Sequence, residues 1–241
     1  MPGPAVAGDV PEVPGFFGKL PTFPDFLSRR LPRSFLDPWD RWLQEGTLSC
    51  RERLGAAWLD TYLTSPIWRF VLAPDVCGPA EWTGVLMPSV DSVGRHFPLT
   101  LAAAVAADVG LLPMIAESGW YESLEEIALS TLDEPFELDG FDTQLQNLKP
   151  AATSAALSDR AKGAQNGSPS WRFGLTAGAS FRGSIPAIAE SLLADRLERQ
   201  TFWWTSGSDK VKPGILTCKG LPNSTAFVAL LDGNLVRWGW V

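Results

Sequence analysis

The sequence contains few of the residues that build metal sites and disulfides. Of its 241 residues, one is histidine and three are cysteine, at positions 50, 77 and 218. A single histidine cannot supply a histidine-rich metal site, and the cysteines lack the paired spacing typical of zinc ligands. Their odd number and wide separation favour reduced thiols in a reducing cytoplasm. We therefore predict a cytoplasmic protein with no metal and no cofactor.

Positive charge and long apolar runs are also scarce. The chain has 20 basic and 27 acidic residues, which gives a net charge of −7. Without a basic excess to neutralise phosphates, binding to nucleic acid or to an acidic membrane surface is not expected. No apolar run reaches the roughly 18 residues that a membrane-spanning helix needs. The N-terminus lacks the basic start and apolar run of a secretory signal, and we interpret residues 1–14 as a flexible leader.

Patterned apolar sequence, in contrast, is abundant. Hydrophobic residues make up 45% of the chain, which is ample for a packed core. The tryptophans at positions 39, 42, 58, 68, 203 and 204 follow helical or strand periodicity, which favours a place in the core over one in an interface. Helical stripes and short apolar runs alternate along the chain. This alternation predicts α/β layers in a single domain over residues 15–241.

The same patterns assign individual elements. Strands are predicted over 15–20, 67–72, 85–87, 97–105, 171–175 and 201–205, and a C-terminal hairpin over 226–231 and 235–240. Helices are predicted over about 22–32, 37–46, 49–64, 113–132, 141–148 and 184–197. Because the hairpin is antiparallel, the sheet is predicted to be mixed and largely antiparallel. Residues 151–170 carry almost no large apolar side chain and are interpreted as a mobile loop.

The loop over residues 88–96 holds the most reactive combination of side chains. It contains Ser89, Asp91, Arg95 and His96. Serine, aspartate and histidine are the residue types of a nucleophilic triad, so one interpretation is a small hydrolase that uses Ser89 and His96. The Gly-x-Ser-x-Gly elbow is absent, which favours a turn in which Ser89 and Asp91 hydrogen-bond nearby groups. A third interpretation is a small-ligand sensor at the mouth of this loop.

A second group of charged residues lies near the N-terminus. Lys19, Asp25, Arg29 and Arg30, together with Arg95, could form a mixed-charge patch for a protein partner. They could equally form internal ion pairs that clamp the N-terminal strand to the 88–96 loop, and the residues alone favour neither hypothesis. The Gly-x-x-x-x-Gly-Lys-Ser/Thr pattern of a phosphate-binding loop is missing around Lys19.

Several segments form a signature that spans most of the chain. They are Gly15-Phe-Phe-Gly-Lys-Leu-Pro21, Asp25-Phe26, 28–32, Pro38-Trp39, Trp42-Leu43, 65–70, the most specific segment 84–99, Trp203-Trp204-Thr205 and Leu231-Asp232-Gly233. Together they resemble the TagF (ImpM) family associated with bacterial type VI secretion. The resemblance implies a three-layer α/β/α sandwich. It also implies an accessory protein that represses the secretion machine after translation by engaging a forkhead-associated-domain scaffold protein.

The resemblance and the residues together lead to one expectation about function. Some relatives are fused to a metal-dependent phosphatase, but no carboxylate-rich phosphatase segment is present in this sequence. We expect a non-catalytic regulator that binds another protein, with no nucleic-acid partner and no direct insertion into a membrane. If the charged patch contacts the partner, Arg29→Ala or Arg95→Ala should impair binding while the fold survives.

Overall fold

The secondary structure consists of nine strands and seven α-helices within the described residues. The structure is a computed structural model that describes residues 13–106, 109–148, 157–165 and 168–240. The strands are β1 (Gly15–Gly18), β2 (Leu27–Arg29), β3 (Trp68–Leu72), β4 (Trp82–Met87), β5 (Leu99–Ala104), β6 (Leu157–Gln165), β7 (Ser168–Leu175), β8 (Gln200–Thr205) and β9 (Gly214–Lys219). The helices are α1 (Arg33–Leu54), α2 (Trp58–Leu63), α3 (Leu111–Ile115), α4 (Ser118–Leu129), α5 (Leu138–Asn147), α6 (Phe181–Leu197) and α7 (Ser224–Asp232).

Seven of the strands form one sheet. Their order is β2-β1-β5-β4-β3-β8-β9, and β6 pairs separately with β7. Each pairing between neighbouring strands of the described sheet is antiparallel. The predicted α/β class in a single domain is confirmed, and the sheet, predicted to be mixed and largely antiparallel, is antiparallel at each of these pairings. No helix in the described part of the chain is long and apolar enough to cross a membrane.

Both faces of the sheet are covered, which makes the protein a three-layer sandwich. Successive residues of β4 point to opposite faces, so Trp82 and Leu86 join one buried cluster while Val85 and Met87 join the other. Helices α1 and α7 cover the first face, and α4 and α5 cover the second. This explains why every residue of the central strands β4 and β5 is buried, with no alternation between buried and exposed positions.

The tryptophans predicted to lie in the core are either buried within it or partly buried at its edge. The ring of Trp39 lies 6.0 Å from that of Trp203 in a parallel stack, and its indole N–H donates to Thr100 at 2.9 Å. Trp42 and Trp68 are also buried, whereas Trp58 and Trp204 are only partly buried against the two clusters. The stack links α1 to β8, although the two elements are far apart in sequence.

Several predicted helix boundaries are wrong. Residues 33–54 form one continuous helix, so Asp37 and Ser49 do not begin helices and Gly46 does not end one. Position 46 of α1 is occupied by glycine because the ring of Phe227 packs there, 2.5 Å from where a Cβ would stand. The second predicted helix is divided by a short 3₁₀ turn before α2.

Other predicted helices also differ from the structure. The helix expected over 113–132 is divided into α3, α4 and a terminal 3₁₀ turn. The helix expected near 184 begins earlier, at Phe181, and its cap is Ser180, whose hydroxyl accepts from the Gly183 N–H. The segment interpreted as a short helix around 22–32 contains β2 instead.

The largest correction concerns the C-terminus. Residues 226–231 belong to helix α7 and not to a hairpin strand, and residues 235–239 form turns. Asn223 caps the helix by accepting from two backbone N–H groups, and Gly233 ends it with a φ of 72°. The Asp-Gly-Asn sequence that is typical of a hairpin turn therefore ends a helix.

The segment interpreted as a mobile loop contains strands. Residues 157–165 form β6 and pair with β7 in an antiparallel hairpin. The sequence of β6 consists mainly of small and polar residues, so it shows no alternating hydrophobic pattern that would predict a strand. The remaining predicted loop residues, 151–156 and 166–167, and the predicted leader up to residue 12 lie outside the described residues.

Candidate functional site

The 88–96 loop meets the N-terminal strand at one end of the sheet. It connects β4 to β5, and β5 pairs with β1, so the loop lies beside Lys19, which follows β1. Gly18 permits this approach: its φ is 139°, and a Cβ at this position would lie 2.3 Å from the Pro98 carbonyl oxygen. Because Gly18 precedes it directly, Lys19 can extend toward the loop.

Asp91 is the centre of a buried ion-pair network. Its Oδ2 accepts from the Lys19 ammonium and, at 2.7 Å, from Arg95 Nε. Its Oδ1 accepts from the backbone N–H groups of Val93 at 3.0 Å and Arg95 at 2.8 Å. The side chain of Asp91 is fully buried, as is nearly all of Lys19, while more than half of the Arg95 side chain is exposed. The carboxylate therefore fixes the turn and joins it to β1.

The network controls the ionisation of Asp91. Burial alone would raise the pKa of this carboxyl group. The hydrogen bonds from Lys19, from Arg95 and from the backbone outweigh burial and hold the pKa of Asp91 well below its usual value. Asp91 is consequently a carboxylate throughout the physiological range and is unsuited to act as a general acid.

The loop is also fastened to the segment that follows Lys19. Arg95 donates to the Pro24 carbonyl, and the Ser92 N–H donates to the Phe23 carbonyl at 3.2 Å. The Lys19 ammonium lies 4.4 Å from the centre of the Phe26 ring. These contacts hold Phe26 and Val93 at the surface, where they are 49% and 62% exposed. The result is a rigid, partly apolar surface formed by Phe26, Val93 and Arg95, which we call the loop surface.

Ser89 and His96 do not form the hydrogen bond that a hydrolase triad requires. Ser89 is buried, and its hydroxyl donates to the Lys19 carbonyl at 2.7 Å. The Tyr62 hydroxyl donates to the Ser89 carbonyl and accepts from the Ser89 N–H. His96 packs its ring edge-on to Tyr62, and burial together with the Arg51 guanidinium holds the pKa of His96 below its usual value. The Ser89 hydroxyl is thus occupied in joining the loop to β1.

A small apolar cleft with a volume of about 20 Å³, enough for about one water molecule, lies beside Pro88 at the start of the loop. Its lining residues are Tyr62, Ser65, Pro66, Trp68, Leu86, Pro88, Pro98, Phe227, Leu230 and Leu231. A ligand site normally adds several converging polar groups to such a lining. The Tyr62 hydroxyl is already bonded to the Ser89 backbone, so the cleft does not favour the sensor hypothesis.

Arg29 and Arg30 belong to a different network, centred on Asp142 of α5. Arg29 Nη1 lies 2.6 Å from Asp142 Oδ2, and Arg30 Nη2 lies 2.5 Å from Asp142 Oδ1. Burial raises the pKa of Asp142, but the two guanidinium groups outweigh it and hold that pKa below its usual value. The network therefore fastens β2 to α5.

The predicted charged residues thus divide into separate groups. Lys19, Asp91 and Arg95 form one clamp, and Arg29 and Arg30 form another. Asp25 is exposed and makes no hydrogen bond or ion pair within the described residues. In that same part of the chain, no three His, Cys, Asp or Glu side chains are grouped so as to hold a metal ion.

Sequence reasoning missed two residues that complete these networks. Asp142 lies on a helix more than 100 positions from Arg29, and no local pattern identifies it as a partner. Tyr62 lies on α2, in a segment for which the sequence predicts only a helix. A buried tyrosine needs a hydrogen-bond partner for its hydroxyl, which was the one signal that it serves more than the core.

Comparison with known proteins gives matches in both sequence and structure. A model of the TagF N-terminal domain, described as type VI secretion system-associated, matches residues 15–148. The crystal structure of PA0076 from Pseudomonas aeruginosa PAO1 is 37% identical, with a TM-score of 0.76 over 91% of this chain and 94% of that one. No curated protein matches this chain. The matched residues 15–148 include both clamps and the loop surface.

Proposed function

This chain belongs to the TagF family of type VI secretion-associated proteins, and we propose that it is a non-catalytic, cytoplasmic, post-translational repressor of that secretion system. In this proposal it acts by binding the forkhead-associated-domain scaffold protein of the system. Family membership supports a role in type VI secretion. The repression, the scaffold and the cellular location are our proposal.

The main support for the proposal is the set of hydrogen bonds and ion pairs made by the polar residues of the 88–96 loop. The side chains that could have formed a catalytic set are bonded to the backbone or to one another: Ser89 to Lys19, and Asp91 to Lys19 and Arg95. These bonds hold the loop in place, and Phe26, Val93 and Arg95 remain exposed at the surface. Exposed aromatic and arginine side chains on a fixed backbone are typical of residues that dominate binding energy in protein interfaces.

Binding to the purified scaffold protein tests the proposal. Phe26→Ala and Arg95→Ala should each weaken binding about tenfold or more, because each removes a side chain of the loop surface. Val236→Ala is the matched control, since Val236 is 73% exposed and lies at the opposite end of the chain. Circular dichroism should show that each variant remains folded.

A secretion assay in the native cell tests the direction of the effect. Extra copies of the wild-type chain should reduce the amount of a secreted substrate in the medium, and the Arg95→Ala variant should reduce it less. Failure of the scaffold to bind the wild-type chain, or repression that is unaltered in both loop-surface variants, would contradict the proposal.

A further inference from the structure

Helix α6 covers very little of the core although it is 17 residues long. Only Ser184 and Leu197 of this helix are buried. Phe181, Ile185 and Leu192 are 71%, 48% and 51% exposed. Helices normally bury their apolar side chains against the rest of the protein, so exposed residues of this size on one helix mark a surface that lacks its partner.

Phe181, Ile185 and Leu192 form a stripe together with Ile188, which is half-buried. At 3.6 residues per turn, Phe181, Ile185, Ile188 and Leu192 fall within an arc of roughly 60° along three turns of the helix. We call these four residues the α6 stripe. Glu190 lies on the opposite side, where its carboxylate accepts from the Leu112 N–H at 2.8 Å and holds α6 against α3. The stripe consequently faces away from the body of the protein.

Charge is distributed unequally beside the stripe. Arg182 and Arg196 are exposed and lie on the same side of it, one near each end. Asp195 is the one charged residue of α6 on the other side. An apolar stripe with arginines along one border suits a helix that brings acidic residues to that border.

We propose that the α6 stripe is a docking surface for an amphipathic helix of a partner protein whose flank is acidic. Arg182 and Arg196 would pair with that flank while Phe181, Ile185 and Leu192 cover the apolar side of the incoming helix. A second copy of α6 suits the surface less well. In an antiparallel pair related by a two-fold axis, Arg182 of one copy would face Arg196 of the other, which is repulsive. The inference goes beyond the proposed function because it concerns a surface separate from the loop surface.

Two designed peptides test the inference on the intact protein. Both are fluorescein-labelled 18-residue helices with the same leucine stripe, one flanked by glutamates and the other by lysines. Fluorescence anisotropy should show that the wild-type chain binds the glutamate peptide about tenfold more tightly than the lysine peptide. The double variant Arg182→Glu/Arg196→Glu should reverse this preference. Added salt should weaken the preferred pair in both cases.

Further variants identify the contact surface. Ile185→Asp with Leu192→Asp should abolish binding of the glutamate peptide, whereas Ile215→Asp should leave it unchanged, although Ile215 is 67% exposed on β9. Binding to neither peptide, equal binding to both, or loss of binding in the Ile215 variant would overturn the inference.

The wild-type chain and the Ile185→Asp/Leu192→Asp variant also test two other possible occupants of the α6 stripe, a second copy of this chain and a membrane. Light scattering would reveal a dimer that the Ile185→Asp/Leu192→Asp variant dissociates, which would assign the stripe to a second copy of this chain. Sedimentation with vesicles of phosphatidylglycerol and phosphatidylcholine would reveal membrane binding that the same variant loses. Either result would overturn the inference, whereas a monomer that does not bind vesicles would support it.

Discussion

At the scale of single residues, Asp91 joins its own loop to the end of β1, two segments that are far apart in sequence. Its carboxylate receives Lys19 from the end of β1, Arg95 from its own loop and two backbone N–H groups of the turn. Removing one member of a buried ion pair leaves the other charge without compensation, which costs much more than loss of an exposed pair. Lys19 is the member that would be left buried.

Substitution of Asp91 by asparagine should destabilise the protein strongly. We expect Asp91→Asn to lower the Tm by roughly 10 °C at pH 7, because the buried Lys19 ammonium loses its counter-charge. Asp25→Asn is the control and should leave the Tm unchanged, since Asp25 is exposed and unpaired within the described residues. Thermal unfolding followed by circular dichroism measures both variants.

The same variant has a defined dependence on pH. The unfolded chain protonates an aspartate near its usual pKa of about 4, whereas the folded chain holds the pKa of Asp91 well below that value. The stability that the carboxylate contributes is therefore present above about pH 4 and is lost as the pH falls toward the folded pKa. The difference in Tm between wild type and Asp91→Asn should narrow below pH 4, and a constant difference would contradict the network.

The contribution of Glu81 to stability is expected to have the opposite pH dependence to that of Asp91. Its Oε1 is buried with no hydrogen-bond partner among the described residues, and burial, with a smaller contribution from Glu190, raises the pKa of Glu81 to about 8. The unfolded chain loses this proton near pH 4, so stability falls as the pH rises from about 4 to about 8.

Substitution of Glu81 by glutamine should remove this penalty. We expect Glu81→Gln to raise the Tm by roughly 5 °C at pH 8 and to have little effect near pH 4. Glu126→Gln on the exposed side of α4 should follow the wild type over the whole range. Equal melting temperatures for Glu81→Gln and wild type at pH 8 would show that the carboxyl group finds a partner in solution.

Sequence predicted the members of the candidate site better than their partners. The sequence places Lys19 and Arg95 together in a patch or an internal clamp, and in the structure both pair with Asp91. Arg29 and Arg30 were assigned to the same clamp, but they pair with Asp142 instead. Ion pairs between a strand and a distant helix depend on how the layers stack, which local periodicity does not encode.

At the scale of elements, α1 shows how tertiary contact overrides a local signal. Glycine lowers helix propensity, and Gly46 was therefore interpreted as a helix end. In the structure, the missing side chain makes room for Phe227 of α7, whose ring would lie 2.5 Å from an added Cβ. The position is thus selected by helix packing, and the helix continues through it.

This contact predicts an unusual response to a helix-favouring substitution. Gly46→Ala should destabilise the protein by about 1–3 kcal/mol, because overpacking against Phe227 outweighs the gain in helix propensity. Gly119→Ala on α4 is the control, since an added Cβ meets nothing within 4 Å there, and it should be neutral or stabilising by up to about 1 kcal/mol. Urea unfolding measures both, and a stabilising Gly46→Ala would contradict the packing of α1 on α7.

Two of the elements that the sequence did not predict, α7 and β6, lack a hydrophobic pattern that would identify them. A short apolar run such as 226–231 fits a buried strand and a buried helix equally well, so the turn residues after it decided the prediction wrongly. Strand β6 has no apolar alternation because its hairpin with β7 is separate from the main sheet. Strands β1, β3, β4, β5 and β8 were predicted because their residues are buried in the main sheet.

At the scale of the whole molecule, the N-terminal and C-terminal parts share one core. Strand β3 pairs with β4 on one side and with β8 on the other, so the sheet continues through both parts of the chain. Trp39 stacks on Trp203, and Trp42 meets Phe227 with ring centres 4.9 Å apart. The segment matched as the TagF N-terminal domain, residues 15–148, therefore lacks the β8 and α7 side chains that pack against Trp39 and Trp42.

A fragment limited to residues 15–148 should consequently fail to fold alone. It would expose the edge of β3 and the face of α1 that α7 covers, which are aggregation-prone surfaces. We expect weak near-ultraviolet circular dichroism and no cooperative thermal transition for the fragment, in contrast to the full chain. Co-expression with residues 149–241 should restore the transition, because the missing strands and α7 then return to the sheet. A sharp unfolding transition of the isolated fragment would show that the N-terminal part has a core of its own and that the single-domain architecture is wrong.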